Sequence, residues 1–217
     1  MKNLLTIPSI LKHCKKRFAN KPAMDLDNGK KITYTDLLWD ISRTIQQMKR
    51  NGISKNSKVA VFVEANPQSI VTFLAITAMG AVAVLLKYDL DEAEVTEILK
   101  KENPEAVFIR SDKLKLISAF NATTIFEMAD NSILKTDPAL RLGTVSEISA
   151  TDTAAIVYQK DNENHVTSTA YTQKQFAAAV KETKRRSPSN PSFDTLLSYC
   201  KTCVLPMLKG NCVHSAV

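Results

Sequence analysis

The residue types best suited to chemistry stand near the C-terminal end of the chain. Cys200-x-x-Cys203, followed by Cys212 and His214, brings four thiolate or imidazole donors into a short stretch, the number that a tetrahedral structural zinc takes. The same residues also fit a helix over 196–208 with small buried cysteines, followed by a strand beginning at Val213. The Cys-x-x-Cys pair does not open a helix directly after a strand, so a thioredoxin-like redox role is not expected. The remaining histidines, His13 and His165, have no evident catalytic partner. His13 falls on the basic outer face of a helical pattern, and His165 falls in a polar stretch. A cation cluster, Lys181, Lys184, Arg185 and Arg186, ends a helical pattern just before Ser187-Pro188. There it complements the helix dipole, and without interleaved aromatics it does not point to nucleic acid.

Composition limits the elements that must position these groups. The chain has 217 residues and is 44% hydrophobic, enough for one large or two small domains around a real core. The net charge of +7 reads as basic residues scattered among acidic ones, so nucleic acid is not an expected partner. Residues 1–18 mix Lys2, Lys12, Lys15 and Lys16 into apolar sequence and lack the unbroken apolar core of a secretory signal. Four cysteines, one near the start and three near the end, do not make a dense disulfide framework. A cytoplasmic protein with reduced thiols is the expectation.

The stretch 58–86 is the most apolar of the chain and carries no charge from 69 to 86, which brings it to the lower edge of what spans a bilayer. Its punctuation argues against a span. The run 59–63 is β-branched and aromatic, Asn66 suits a helix cap, Pro67 suits the first helical position, and Gly80 suits the residue beyond a helix end. Ala-Val-Ala-Val-Leu-Leu then reads as a strand buried on both faces. Strand, helix, strand makes a right-handed parallel crossover, so the expected fold class is α/β, a mainly parallel sheet flanked by helices, with no membrane span.

Other segments fit that host. Residues 9–18 carry an amphipathic pattern with a basic outer face. Residues 23–26 and 31–34 flank Asn28-Gly29, a strong hairpin turn signal, and lead into a helix with Thr35 as its expected N-cap and Leu37, Leu38, Ile41, Ile45 and Met48 as its apolar stripe. Asp89 and Asp91 suit the start of the next helix, which Asn103-Pro104 ends. Short strands are expected over 106–109, 123–126 and 154–158, with helices over 114–120 and 172–183. Residues 131–150 read as a connecting loop. The expected organisation is an α/β subdomain over 1–130 and the start of a second α/β segment over 151–217.

Taken together and in order, several of these segments resemble the AMP-forming acyl-CoA synthetases and related adenylate-forming ligases. They are Lys21-Pro22-Ala23, Ile32-Thr33-Tyr34, Gly52-Ile53-Ser54-Lys55, Lys58-Val59-Ala60-Val61-Phe62, Asn66-Pro67, Phe73-Leu74-Ala75-Ile76, Gly80-Ala81-Val82-Ala83-Val84 and Leu90. The 204–213 stretch is similar to a later segment of the long-chain fatty-acid branch. The resemblance implies the N-terminal part of such a ligase. It also implies ATP, magnesium and coenzyme A as cofactors and co-substrates, and a carboxylic or fatty acid as the group activated.

The resemblance breaks where its chemistry should begin. Residues 151–158 look like the strand before the family's Thr-Ser-Gly-Thr-Thr-Gly-x-Pro-Lys-Gly phosphate loop. Read without a gap, that loop falls on residues 159–168, placing Gln159, Lys160, Asp161, Asn162, Glu163, Asn164, His165, Val166, Thr167 and Ser168 there. The loop's glycines are gone, its lysine position is Thr167, and Asp161 and Glu163 bring carboxylates to a place meant for polyphosphate. Thr172 keeps the family pattern, while Gln173 and Gln175 replace its usual histidine and asparagine. The degenerate positions carried forward as nucleotide candidates are therefore Gln159, Asp161, Asn164, Thr167 and Thr172, with no catalytic residue. Three functions stay open: an inactive binding or interaction module, one piece of a longer or split ligase, and a zinc-stabilised interaction domain. The corresponding partners are another protein, a missing C-terminal ligase region or a small-molecule acid.

Overall fold

A computed structural model describes residues 5–25, 31–63, 67–87, 89–120, 124–128, 147–161, 163–182 and 213–214. The uncharged stretch forms the expected crossover. Strand β3 (Lys58–Phe62) leads into helix α3 (Pro67–Ala78) and returns as β4 (Val82–Leu86), with β3 and β4 parallel from Lys58↔Val82 to Phe62↔Leu86. All five residues of β4 are buried. The turn between helix and strand needs Gly80, whose φ is +83° and whose added Cβ would sit 3.1 Å from the Lys55 side chain and 3.2 Å from that of Ile148. Both the backbone conformation and the space therefore favour glycine. No helix among the described residues is long and apolar enough to cross a membrane.

Around this unit lie α1 (Ile7–Phe18), β1 (Pro22–Asp25), β2 (Lys31–Thr33) and α2 (Tyr34–Arg50) before it. After it come α4 (Glu92–Glu102), β5 (Ala106–Ile109), a 3-10 helix (Ser111–Ile117) and β6 (Ile125–Glu127). The described chain continues with β7 (Thr153–Lys160), β8 (Val166–Thr172), α5 (Gln173–Glu182) and β9 (Val213–His214). Six strands form one sheet in the order β6-β5-β3-β4-β7-β8, and three form a smaller one, β2-β1-β9. In the larger sheet every pairing is parallel except β7 with β8. Because β7 pairs with β4, this sheet joins strands that come before residue 131 to strands that come after residue 150.

Alternation along the strands divides the core into two layers. Val59, Val61, Ala83, Leu85, Ala155 and Val157 face one way and pack with α1, α2, α3 and α5, where the Phe73 and Phe176 rings meet at 5.0 Å. Ala60, Phe62, Val84, Leu86, Val107 and Tyr158 face the other way, toward α4 and the 3-10 helix. Helix α3 is buried along nearly its whole length because it lies inside the first layer.

Local chemistry sets several boundaries differently from the sequence reading. Helix α2 is capped by Thr33, not Thr35. The Thr33 hydroxyl accepts from the Asp36 N–H at 3.2 Å, and the Asp36 carboxylate accepts from the Thr33 N–H at 2.9 Å. Thr35 has no such acid three residues on, and its hydroxyl donates to the Ala19 carbonyl at 2.9 Å. Replacing Thr33 with alanine should cost about 1 kcal/mol of stability, read as a shift in the urea midpoint; an unchanged midpoint would remove the cap from the account. Asp91 and Glu94 make an equivalent box on α4, and Asn103 closes that helix in the left-handed conformation. The helix expected over 114–120 is instead the 3-10 segment Ser111–Ile117, and the strand expected over 123–126 is β6, Ile125–Glu127.

Candidate functional site

In the larger sheet, β3 is followed by α3 on one face and β4 by α4 on the other. Strand β4 leads through α4 back toward β5, whereas its neighbour β7 leads away to β8; the carboxyl ends of β4 and β7 thus diverge as at a topological switch point, where open α/β sheets bind ligands. Next to β4 stands β7, so the tip of the β7–β8 hairpin reaches the same end of the sheet. This tip is where the sequence places the phosphate loop.

The structure forms no open loop there. Gln159 and Lys160 complete β7, Val166 begins β8, and the pair Lys160↔Val166 holds the two strands together beside Asp161 and His165. The Asp161 N–H donates to the His165 carbonyl at 2.9 Å, and the Asn164 N–H to the Asp161 carbonyl at 3.1 Å. Asn164 takes φ +65°, a left-handed position that asparagine tolerates better than most residues. The Asp161 carboxylate accepts two further backbone donors through Oδ1, the N–H groups of Glu163 and His165, each at 2.9 Å. Amides that converge in a turn make an anion nest. Here the chain's own carboxylate fills it.

The neighbouring cation is also paired. Lys160 Nζ lies 2.9 Å from Glu94 Oε1 near the start of α4; the hydrogen bond it donates to Glu94, with the charges of Glu94, Asp91 and Asp89, raises the lysine pKa above its usual value. The cation is thus matched by acids before any ligand arrives. His165 is 72% exposed, with Nδ1 3.8 Å from Asp161 and 3.7 Å from Glu163.

Of the other candidates, Gln159 is buried, with its side-chain Oε1 lacking a hydrogen-bond partner among the described residues. Its carbonyl accepts weakly from the Thr167 hydroxyl at 3.4 Å. Thr172 caps α5: its hydroxyl accepts from the Gln175 N–H at 3.2 Å, and Gln175 Oε1 accepts from the Thr172 N–H at 2.8 Å. Cys200, Cys203 and Cys212, and the cations Lys184, Arg185 and Arg186, lie outside the described residues. For His214 only the backbone, in β9 opposite Asp25, is described. Among the described residues no three His, Cys, Asp or Glu side chains are grouped to hold a metal.

One residue that sequence reasoning treated only as a departure from the family has a clear task. Gln173 is fully buried; its Oε1 accepts from the Ile7 N–H at 3.0 Å and its Nε2 donates to the Thr77 carbonyl at 3.0 Å. It satisfies an orphan donor at the start of α1 and a carbonyl in the last turn of α3. The available signal was a polar residue at the first position of a helix, immediately preceding the buried pair Phe176 and Ala177 by one turn.

A helix-flanked, mostly parallel sheet with this strand order puts the chain in the α/β class. The chain belongs to the AMP-binding enzyme family, whose profile matches residues 11–195. It is 28% identical over 134 residues to a long-chain-fatty-acid–CoA ligase of Bacillus subtilis, covering 58% of this chain and 23% of the relative. Acetyl-coenzyme A synthetase 1 of Candida albicans is 39% identical over 67 residues, covering 29% of this chain and 10% of that one. Among solved structures, a Mycobacterium tuberculosis fatty acyl CoA synthetase superposes with a TM-score of 0.78 at 16% identity, over 99% of this chain and 45% of that one. The inhibitor-bound N-terminal domain of FACL13 from the same organism gives 0.78 at 17% identity, over 96% and 56%. The chain therefore spans under a quarter of the bacterial ligase's length and about half of these solved chains.

Proposed function

We propose that this chain is a non-catalytic member of its family, a retained ligase scaffold that works as a binding or interaction module. The observation that carries this reading is the Asp161 carboxylate bound by the Glu163 and His165 N–H groups. A polyphosphate entering there would have to displace a covalently tethered anion and approach Glu163, Asp91 and Glu94 as well. Without phosphate binding, adenylation of a carboxylic acid loses its activated co-substrate. A cytoplasmic location belongs to the same reading and agrees with the reduced, buried thiol of Cys14, whose pKa burial raises to about 12.

A second reading, one piece of a longer or split acyl-CoA ligase, draws support from the intact β3–α3–β4 core and the family match through residue 195. Titration calorimetry of the purified chain with ATP and with AMP, each with magnesium, separates the two. The module reading expects no measurable heat of binding at micromolar nucleotide. Saturable low-micromolar affinity for either nucleotide would overturn it in favour of the ligase piece.

A further inference from the structure

Charge in this chain is less evenly spread than its composition suggests. No aspartate or glutamate occurs before Asp25, and that acid-free segment holds Lys2, Lys12, Lys15, Lys16, Arg17 and Lys21, six cations against a net charge of +7 for the whole chain. The remainder of the chain, 7 − 6 = +1, is close to neutral. Five of the six lie within the described residues, on α1 or just beyond it, and all five are exposed. Among the described residues none of them has an ion-pair partner; Lys21 instead stands over the Phe18 ring at 5.4 Å.

The helix explains why these charges share one surface. Ile7, Ile10, Leu11 and Cys14 are buried against the core, so at 100° per residue Lys12, Lys15, Lys16 and Arg17 fan across the opposite face. Its N-terminal end presents Leu5, 38% exposed, one of the two large exposed hydrophobics among the described residues. The face is a single helix surface, with no exposed aromatic on which a base could stack: Phe18 is half-buried and already packs on His13 and Tyr34. That distinguishes it from a nucleic-acid surface.

We propose that the outer face of α1 is a docking surface for an anionic phospholipid membrane. Its apolar side is committed to the core, so the helix lies flat on the headgroups and is held by charge, without inserting. Clusters of four or more lysines and arginines on a helix suit the anionic cytoplasmic leaflet, and their attraction is screened within a Debye length. The surface is remote in sequence from the hairpin tip and does not depend on the fate of the nucleotide site.

The test is co-sedimentation of the full chain with vesicles of phosphatidylcholine mixed with phosphatidylserine, and with phosphatidylcholine alone. Binding is expected only to the mixed vesicles, with affinity falling about tenfold or more between low and near-molar salt. The variant Lys12→Gln/Lys15→Gln/Lys16→Gln should bind at least about tenfold more weakly. A control removing equal charge from exposed lysines elsewhere, Lys49→Gln/Lys100→Gln/Lys115→Gln, should bind nearly as well as the parent. Thermal melts establish that both variants fold. No binding to the mixed vesicles, equal binding to neutral ones, equal loss in both variants, or binding to RNA in their place would each overturn the proposal.

Discussion

Exchanging Gln173 for leucine is expected to lower the free energy of unfolding by about 2–5 kcal/mol, because two buried backbone groups lose their partners together. The Ile7 N–H and the Thr77 carbonyl lie 166 and 96 residues from Gln173 in sequence, and its one amide serves both. Leucine is of similar bulk and keeps the volume filled, so the loss reports on polar groups left unsatisfied and little on a cavity. The backbone around Gln173 is pinned as well, its own N–H donating to the Asp152 carbonyl and that of Lys174 to the Ala150 carbonyl. The site therefore cannot relax by sliding α5 away. Urea unfolding of the variant measures the effect, and a change below about 0.5 kcal/mol would show that Ile7 and Thr77 find other partners. The amide also clarifies the departure from the family's usual histidine. A neutral imidazole offers one donor and one acceptor too, but it can gain a proton, whereas glutamine keeps both functions at every pH. A position the resemblance associates with the site's chemistry is here a fixed joint between three helices.

How far the sequence could be read follows from where the determinants lie. The β3–α3–β4 unit was legible because its signals are local: Pro67 at the first turn, Gly80 at a positive φ, and two apolar runs on either side. Asn103 ended α4 for the same kind of reason. The N-cap of α2 was misplaced because Thr33 and Thr35 are equally good hydroxyls, and the acid at Asp36 decides between them. The hairpin was hidden more deeply. Family register made a loop of 159–168, and nothing in Val-Thr-Ser-Thr-Ala-Tyr-Thr alternates strongly, since β8 is a half-exposed strand at the end of the described sheet. Its turn depends on one carboxylate folding back onto two amides, a three-dimensional fact that Asp-Asn-Glu-Asn-His announces only once both flanking strands are known. Gln173 was unreadable as a clamp because its partners are remote in sequence.

The buried polar group on the opposite face of the sheet carries the second large effect, and pH makes it separable from packing. Glu102, at the end of α4, accepts a hydrogen bond from the Tyr158 hydroxyl at 2.6 Å through Oε1 and pairs with Lys58 Nζ at 2.8 Å through Oε2. Burial alone would raise the pKa of this carboxyl, but the hydrogen bonds from Lys58 and Tyr158 and the charges of Lys58 and Lys101 outweigh it and hold it below the usual value. Burial and the Glu102 carboxylate raise the Tyr158 hydroxyl in turn, so both shifts leave the proton on the tyrosine. Replacing Glu102 with leucine should cost about 1–3 kcal/mol at neutral pH. Lys58, 41% exposed, turns its charge into water, and the cost falls mainly on the buried tyrosine hydroxyl, which loses the Glu102 carboxylate as its acceptor. Since the folded carboxyl titrates below its unfolded value near 4.5, its stabilisation is complete above that pH and declines as pH falls through the lowered folded value. The difference in unfolding free energy between parent and variant should therefore stay constant from neutral pH down to about 5 and narrow below it. Urea titrations of both proteins across that range measure the gap. A gap that persists unchanged in acid would assign Glu102 a packing role, leaving the joint between α4 and β7 to apolar contacts such as those of Leu99 and Ile98 with the sheet.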